Sequence, residues 1–195
     1  MFTGIIEEHG VVRSIVKQGT NLVFTIESRI APELKLNESV AHNGACLSVR
    51  PISKKLYEVT AVKETLARTN LKQLKKGDTI NLERSLLANA RIDGHFVLGH
   101  IDGLVKCASV TNQKGSHVFS FTCPSADLKY VVQKGSIALN GVSLTIASLS
   151  NKGFSVAIIP YTFEHTNFRS LKKGDEVNVE FDVLGKYVIK NLSRK

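Results

Sequence analysis

Two short segments of the sequence place small nucleophilic or hydrogen-bonding side chains directly after a turn. They are NGACLS, residues 43–48, and NGVSLT, residues 140–145. Residues i and i+2 of a strand point to the same face, so we expect Cys46 and Ser48 to share a face, and their counterparts to do likewise. A row of thiol and hydroxyl groups suits a planar, hydrogen-bonding ligand. The alternative is that these are ordinary strand residues, because Cys also packs as a small apolar side chain.

Two histidines give a second candidate for chemistry, His95 and His100 in the segment GHFVLGH, residues 94–100. Their odd separation puts the two rings on opposite faces of a regular strand, and zinc lacks further ligands nearby. We therefore predict no metal site. His100 follows a glycine and is a candidate general acid or base, since histidine titrates near neutral pH. No phosphate-binding glycine motif occurs in the sequence.

Composition narrows the class of protein. With 195 residues, 43% of them hydrophobic, and 4 prolines, the chain can bury a core. The net charge of +9 comes from scattered Lys and Arg, without Trp or an aromatic ladder, so we predict no nucleic-acid partner. Three cysteines without a paired spacing exclude a disulfide framework. No apolar stretch is long enough for a membrane span, and the N-terminus has no basic leader, so we expect a cytoplasmic protein without a membrane partner.

The chain is an internal duplication. Shifting it by 97 residues aligns 18 identities among the 47 positions from 37 to 83, without a gap. The segment LKKGD at residues 74–78 aligns with the same letters at 171–175, and the Asn-Gly turns align with each other. We therefore predict two homologous domains at residues 1–95 and 96–182, followed by a separate tail at 183–195.

Each repeat is predicted to consist of short strands. In the first repeat we place them at residues 11–16, 22–26, 39–41, 46–49, 56–61 and 79–83, because these segments are β-branched or alternating and end at turn residues. A turn about every ten residues is typical of a small barrel or sandwich. Brief helical pieces are expected at residues 66–74, 124–132 and 163–171.

The tail differs from the repeats. Apolar residues recur in it at helical spacing from Val183 to Leu192. An isolated amphipathic helix of this length is marginal in water, so it must pack against something. Either it packs on its own barrel or it assembles with copies of itself.

Taken together, the N-terminal MFTGIIE, the two Asn-Gly turns, the segment ETLARTN at residues 64–70 and the GHFVLGH segment resemble the riboflavin synthase family, α subunit, with its lumazine-binding repeats. The resemblance covers the whole chain. It implies an all-β fold of two homologous six-stranded antiparallel Greek-key barrels with a C-terminal α-helix, which holds a homotrimer together. It also implies that no metal or organic cofactor is needed. The implied substrate is 6,7-dimethyl-8-ribityllumazine, two molecules per intersubunit site, of which one gives a four-carbon unit to the other.

The resemblance also implies the site residues. His100 is expected to transfer protons, Cys46 to add to the acceptor lumazine or hydrogen-bond to it, and Ser39 to support activation of a water or the substrate. Phe2 is either a core anchor or a lid over the reacting pair. The pocket of the first repeat is predicted to comprise Gly4, Ile5, Ile6, Cys46, Leu47, Ser48, Thr60, Ala61, Val62, Lys63, Glu64 and Thr65. The pocket of the second repeat is predicted to comprise Gly99, His100, Ile101, Lys134, Ser143, Leu144, Thr145, Ile159, Pro160, Tyr161, Thr162, Phe163 and Glu164.

Some alternatives stay open on the sequence alone. A non-catalytic lumazine- or flavin-binding protein would use the same duplicated barrels to hold one chromophore as a monomer. Which barrel binds the donor molecule, and whether the protein associates with lumazine synthase, are also undecided.

Overall fold

The computed structural model describes residues 1–193 and shows two closed antiparallel barrels of six strands each. In the first barrel, the hydrogen-bonded order around the barrel is β1-β2-β5-β4-β3-β6, and the second repeats this order with β7 to β12. The predicted all-β class with a C-terminal helix is therefore confirmed. The strands of the first barrel are β1 Glu8–Gln18, β2 Asn21–Glu27, β3 Ser39–His42, β4 Ala45–Pro51, β5 Leu56–Ala61 and β6 Thr79–Arg84.

The second barrel is built from the equivalent segments. Its strands are β7 Gly103–Gln113, β8 Ser116–Thr122, β9 Ser136–Leu139, β10 Val142–Ser150, β11 Gly153–Ile158 and β12 Glu176–Phe181. Each barrel encloses its own core of buried aliphatic and aromatic side chains, such as Phe24 in the first and Phe119 in the second. Two cores of similar size follow from the duplication, because each repeat carries its own alternating apolar residues.

Helices are short and lie outside the barrels. They are α1 Lys63–Arg68, α2 Pro160–Glu164 and α3 Val183–Leu192, with single 3₁₀ turns at Ala31–Glu33, Asn70–Gln73, Leu128–Tyr130 and Asn167–Ser170. The prediction of a helix at residues 124–132 is wrong, since this segment forms only the 3₁₀ turn Leu128–Tyr130. The tail helix is confirmed over Val183–Leu192, and the last two residues of the predicted tail, 194 and 195, lie outside the described part. Among residues 1–193, no helix is long and apolar enough to cross a membrane.

Six asparagines join the two barrels through a symmetric hydrogen-bond network. They form three pairs related by the duplication: Asn43 with Asn140, Asn70 with Asn167, and Asn81 with Asn178. Asn81 Nδ2 donates to the carbonyl oxygen of Asn140 at 3.0 Å, and Asn178 Nδ2 donates to that of Asn43 at 2.8 Å. The backbone N–H of Asn70 donates to Asn178 Oδ1, and that of Asn167 to Asn81 Oδ1. The two halves are thus held in one orientation by paired contacts.

Candidate functional site

An open cavity of about 610 Å³ lies where strand β4 meets the segment that connects the two barrels and the helix α3. This volume is within the range of pockets that enclose a small organic ligand. Apolar and charged groups both contribute to its wall. The lining residues are Ala45, Cys46, Glu64, Thr65, Arg68, Thr69, Leu98, Gly99, His100, Ile101, Asp102, Val183, Lys186, Tyr187 and Lys190.

Cys46 lies at this cavity because of the turn that precedes β4. Asn43 and Gly44 both have positive φ, which reverses the chain and starts β4 at Ala45. Cys46 and Ser48 then face the outside of the barrel, while Leu47 between them points into the core. The predicted alternation is therefore confirmed, and it leaves the thiol partly accessible from the cavity.

The loop over Cys46 belongs to the segment that connects the two barrels, between β6 and β7. The backbone N–H of Cys46 donates to the carbonyl oxygen of Gly99 at 3.0 Å. Gly99 has φ of +82°, and a Cβ at this position would lie 2.5 Å from Cys46 Cβ. Only glycine permits this approach, which also brings His100, largely exposed, to the cavity wall.

The second repeat builds the corresponding arrangement around Ser143. Its backbone N–H donates to the carbonyl oxygen of Gly4 at 2.8 Å. Gly4 has φ of +80°, and a Cβ there would lie 2.6 Å from Ser143 Cβ. The hydroxyl of Ser143 is hydrogen-bonded to His95 Nδ1 at 2.7 Å. Burial lowers the pKa of His95, with the charge of Asp182 opposing, so its ring favours the neutral form.

The predicted grouping of residues into pockets is therefore wrong in one respect. Residues 4–6 lie against Ser143 of the second barrel, and residues 99–101 lie against Cys46 of the first. The segment that precedes the first strand of each barrel crosses to the other barrel. An internal alignment shows which residues correspond, but it does not show to which barrel a loop is attached.

Two buried glutamates hold these crossing loops, and neither was among the site residues predicted from the sequence. Glu83 on β6 accepts hydrogen bonds from Thr3 and Gly4, and Glu180 on β12 accepts them from the backbone N–H groups of residues 98–100. Burial raises the pKa of both carboxyl groups, and the N–H donors oppose that rise. The available signal was the identity of Glu83 and Glu180 at the shift of 97 residues.

Several predicted substrate contacts are buried side chains instead. Phe2 is completely buried in a small apolar cluster between the two barrels and pairs with Val97 through two backbone hydrogen bonds, so it is a core anchor and not a lid. The side chains of Leu47, Ala61 and Leu144 are buried for the simpler reason that alternate residues of a strand point inward.

The remaining predicted residues lie on the outside of the barrels. Glu64 and Thr65 line the cavity, whereas Ser39 pairs with Ser48 across β3 and β4 and does not line it. Phe163 stacks on His117 with ring centroids 3.7 Å apart. Exposed positions with no contact to the cavity are Thr60, Val62, Lys63, Lys134, Thr145, Ile159, Pro160, Tyr161 and Glu164.

The two histidines of the segment at residues 94–100 lie apart in the structure. Among the described residues 1–193, no group of three or more His, Cys, Asp or Glu side chains is arranged to hold a metal ion. His95 and His100 belong to different pockets, since one contacts Ser143 and the other lines the cavity at Cys46.

Comparison with known proteins identifies the family. A family model described as the lumazine binding domain matches the chain twice, at residues 3–85 and 98–182. The chain belongs to the lumazine-binding domain family. Its relatives include the riboflavin synthase of Actinobacillus pleuropneumoniae, 40% identical over 100% of this chain and 91% of the relative. The riboflavin synthase of Schizosaccharomyces pombe is 40% identical over 97% of this chain and 93% of the relative, and that of Bacillus subtilis 38% identical over 100% and 91%.

Solved structures show the same fold. The crystal structure of LumP complexed with riboflavin superposes with a TM-score of 0.86 at 23% identity, covering 93% of this chain and 99% of that one. LumP complexed with 6,7-dimethyl-8-(1'-D-ribityl) lumazine gives a TM-score of 0.84 over the same shares. In this member of the lumazine-binding domain family, the second match begins at residue 98, directly before the loop that crosses to Cys46.

Proposed function

We infer that this chain catalyses the riboflavin synthase reaction. In it, one 6,7-dimethyl-8-ribityllumazine gives a four-carbon unit to a second, forming riboflavin and 5-amino-6-ribitylaminouracil. The relatives support this inference, since riboflavin synthases match the full chain at up to 40% identity. The observation that carries it in the structure is a repeated arrangement: Cys46 lies beneath Gly99 and Ser143 beneath Gly4, with the same backbone hydrogen bond and the same close approach of a glycine. A reaction that consumes two copies of one molecule needs two like binding sites.

The chemistry asks little of the protein beyond orientation and proton transfer. The methyl group at C7 of the lumazine is a carbon acid, because its anion delocalises into the ring and its carbonyl oxygens. Polar groups fixed around the ring stabilise that charge, and holding two rings face to face supplies much of the rate through proximity.

We assign proton transfer to His100, because its ring lines the cavity beside Cys46. Cys46 either adds to the acceptor or hydrogen-bonds to it, and the supporting role of Ser39 stays a prediction. Cys46→Ser and His100→Gln are each expected to lower kcat. If both variants kept kcat near the wild-type value while ligand still bound, these roles would be wrong.

We propose that the reacting pair meets between neighbouring chains of a homotrimer. A pocket of the first repeat would face a pocket of the second repeat on the next chain, which is a heterologous contact that closes into a ring. Apolar side chains exposed beside both pockets support the proposal: Ile5, Ile159 and Tyr161 at the second repeat, and Tyr187 at the cavity of the first.

Turnover separates the enzyme from a protein that only binds the chromophore. The purified chain is incubated with 6,7-dimethyl-8-ribityllumazine, and riboflavin is followed by its absorbance. We expect riboflavin to accumulate in large molar excess over the protein. A single spectral shift without accumulation would favour the binding protein, and salt-dependent retention of oligonucleotides would contradict the prediction of no nucleic-acid partner.

A further inference from the structure

The crossing loops are held by two carboxylates that the reaction itself does not explain. Glu83 and Glu180 occupy the same position on strands β6 and β12, the last strand of each barrel. Both side chains are buried, with 4% and 2% of their surface exposed. Within residues 1–193, no Lys or Arg forms an ion pair with either carboxylate. Burying a carboxylate without an ion pair costs desolvation free energy, and its hydrogen bonds must offset that cost.

Glu180 collects three consecutive backbone donors. The N–H groups of Leu98, Gly99 and His100 donate to it at 2.6, 2.9 and 2.9 Å. Successive N–H groups converging on one anion fix the direction of a loop, because none of the three residues can rotate without losing its bond. The carbonyl oxygen of Gly99 then points at the N–H of Cys46, across the boundary between the barrels.

Glu83 makes the equivalent contacts on the other side. It accepts hydrogen bonds from the N–H and the hydroxyl of Thr3, both at 2.7 Å, and from the N–H of Gly4 at 3.0 Å. The carbonyl oxygen of Gly4 accepts the N–H of Ser143 on the second barrel. Each glutamate therefore lies on one barrel and holds a loop that contacts Cys46 or Ser143 on the opposite barrel.

We propose that Glu180 and Glu83 are positioning residues, each of which acts on the site of the opposite barrel. Glu180 sets the geometry at Cys46, and Glu83 sets the geometry at Ser143. The proposal deepens the proposed function, on which its kinetic consequences rest. The claim that each glutamate holds one loop in place can be tested without measuring turnover. If the two glutamates served stability alone, replacing either one would affect both sites alike, because the two sites are related by the duplication.

The thiol of Cys46 reports on one pocket only. It is partly accessible, whereas Cys107 and Cys123 are buried. The experiment measures the rate at which iodoacetamide modifies Cys46, with and without riboflavin as a protecting ligand, in the full chain. The matched variants are Glu180→Gln and Glu83→Gln, compared under conditions where circular dichroism shows both to be folded.

We expect Glu180→Gln to change the modification rate and to weaken protection by riboflavin, each by about tenfold, as the loss of hydrogen bonds to a charged acceptor predicts. Glu83→Gln should leave both quantities within about twofold of the wild type, a difference small on the same scale. Equal effects of the two variants, or an effect of Glu83→Gln alone, would overturn the proposal.

Two further measurements keep the outcome decisive. If either Gln variant does not fold, Glu180→Asp and Glu83→Asp carry the same comparison, because each keeps the charge and withdraws the carboxylate by about 1.5 Å. In turnover assays, Glu180→Gln should lower kcat more than it raises KM, since it misplaces His100. Should the wild type form no riboflavin while the crossed pattern at Cys46 persists, the proposed function fails and the positioning role stands.

Discussion

At the scale of single residues, His42 shows how the interior of a barrel controls a titratable group. Its ring lies fully buried on β3, where Nδ1 donates to the carbonyl oxygen of Val40 at 3.0 Å and Nε2 accepts from the hydroxyl of Tyr57 at 2.9 Å. Burial lowers the pKa of His42 to about 4, with the hydrogen bond to Val40 opposing. The folded protein therefore keeps this ring neutral, while the unfolded chain takes up a proton near pH 6.5.

The consequence is a stability that depends on pH in a defined direction. A histidine whose folded pKa is depressed contributes stability that is complete above its unfolded pKa and is lost as the pH falls. Between pH 6.5 and pH 5 we expect a loss of about 2 kcal/mol from His42 alone. Urea unfolding at several pH values, in the wild type and in His42→Gln, measures it.

The difference between the wild type and His42→Gln excludes the contribution of other titrating groups to the pH dependence of stability. Glu83 and Glu180 have raised pKa values, so their contribution has the opposite sign and falls as the pH rises. It is present in both proteins and cancels in the difference. An identical pH dependence for the wild type and His42→Gln would contradict the assignment.

Residue-level prediction from the sequence succeeded where strand alternation decides the outcome. Cys46 and Ser48 share the outer face because period-2 alternation follows from backbone geometry. It left both alternatives for Phe2 open and missed Glu83, because the environment of each comes from contacts between segments about 80 or more residues apart. No local pattern encodes such a contact, so a buried carboxylate looks like a surface one.

At the scale of elements, turns were more predictable than helices. The Asn-Gly turn after β3 was identified because both residues tolerate positive φ. The segment at 124–132 starts with a proline suited to a helix, yet it makes only the 3₁₀ turn Leu128–Tyr130. Its counterpart in the first barrel, Ala31–Glu33, is also a single 3₁₀ turn. Leu128 and Tyr130 of this turn pack against the core of the second barrel, so tertiary contacts override local helix propensity.

Helix α3 has one face on its own chain and an apolar face that nothing in the described chain covers. Lys186 donates to Asp102 at 2.7 Å and holds the inner face. The outward side chains Leu184, Tyr187, Val188 and Leu192 are 57–68% exposed. The first alternative for the tail is therefore confirmed, since the helix packs on its own chain, whereas its assembly with copies of itself stays a prediction.

Charge placed on that surface should dissociate the assembly without unfolding the chain. We expect the double variant Leu184→Glu, Val188→Glu to sediment as a monomer, while its far-ultraviolet circular dichroism stays unchanged. Asn191→Glu, on the same helix but at a polar position, is the control and should keep the wild-type mass. Equal masses for all three proteins would show that α3 does not hold the oligomer.

At the scale of the whole molecule, the duplication determines the architecture. The shift of 97 residues was sufficient to predict two homologous domains of equal topology, because homologous sequences fold alike, whereas the resemblance to the family implied that both are barrels. It was not sufficient to predict the crossing of the two loops, which depends on how the barrels are oriented relative to each other. The asparagine network contributes to that orientation, but in the sequence Asn43 and Asn140 were recognised only as turn residues and the other four members only as identities between the repeats.

The asparagine network also predicts how the molecule unfolds. Asn81 is fully buried, and its Nδ2 donates to the carbonyl oxygen of Asn140 and to Oδ1 of the half-buried Asn167, both at 3.0 Å. Asn81→Asp replaces this donor by an oxygen of the same size that faces two acceptors. We expect the free energy of unfolding to fall by about 3 kcal/mol, the cost of leaving buried polar groups unpaired.

Because the side chain of Asn81 bonds across the barrels, to Asn140 and Asn167, this loss should appear as a loss of cooperativity. Calorimetry of Asn81→Asp is expected to show two unfolding transitions, or one broadened transition, where the wild type shows one. Asn178→Asp, its counterpart by the duplication, should behave alike, and Asn112→Asp on the exposed part of β7 should match the wild type. If Asn81→Asp lowered stability while a single sharp transition persisted, the barrels would be coupled chiefly by their apolar contact at Phe2 and Val97, and the asparagines would only fill the interface.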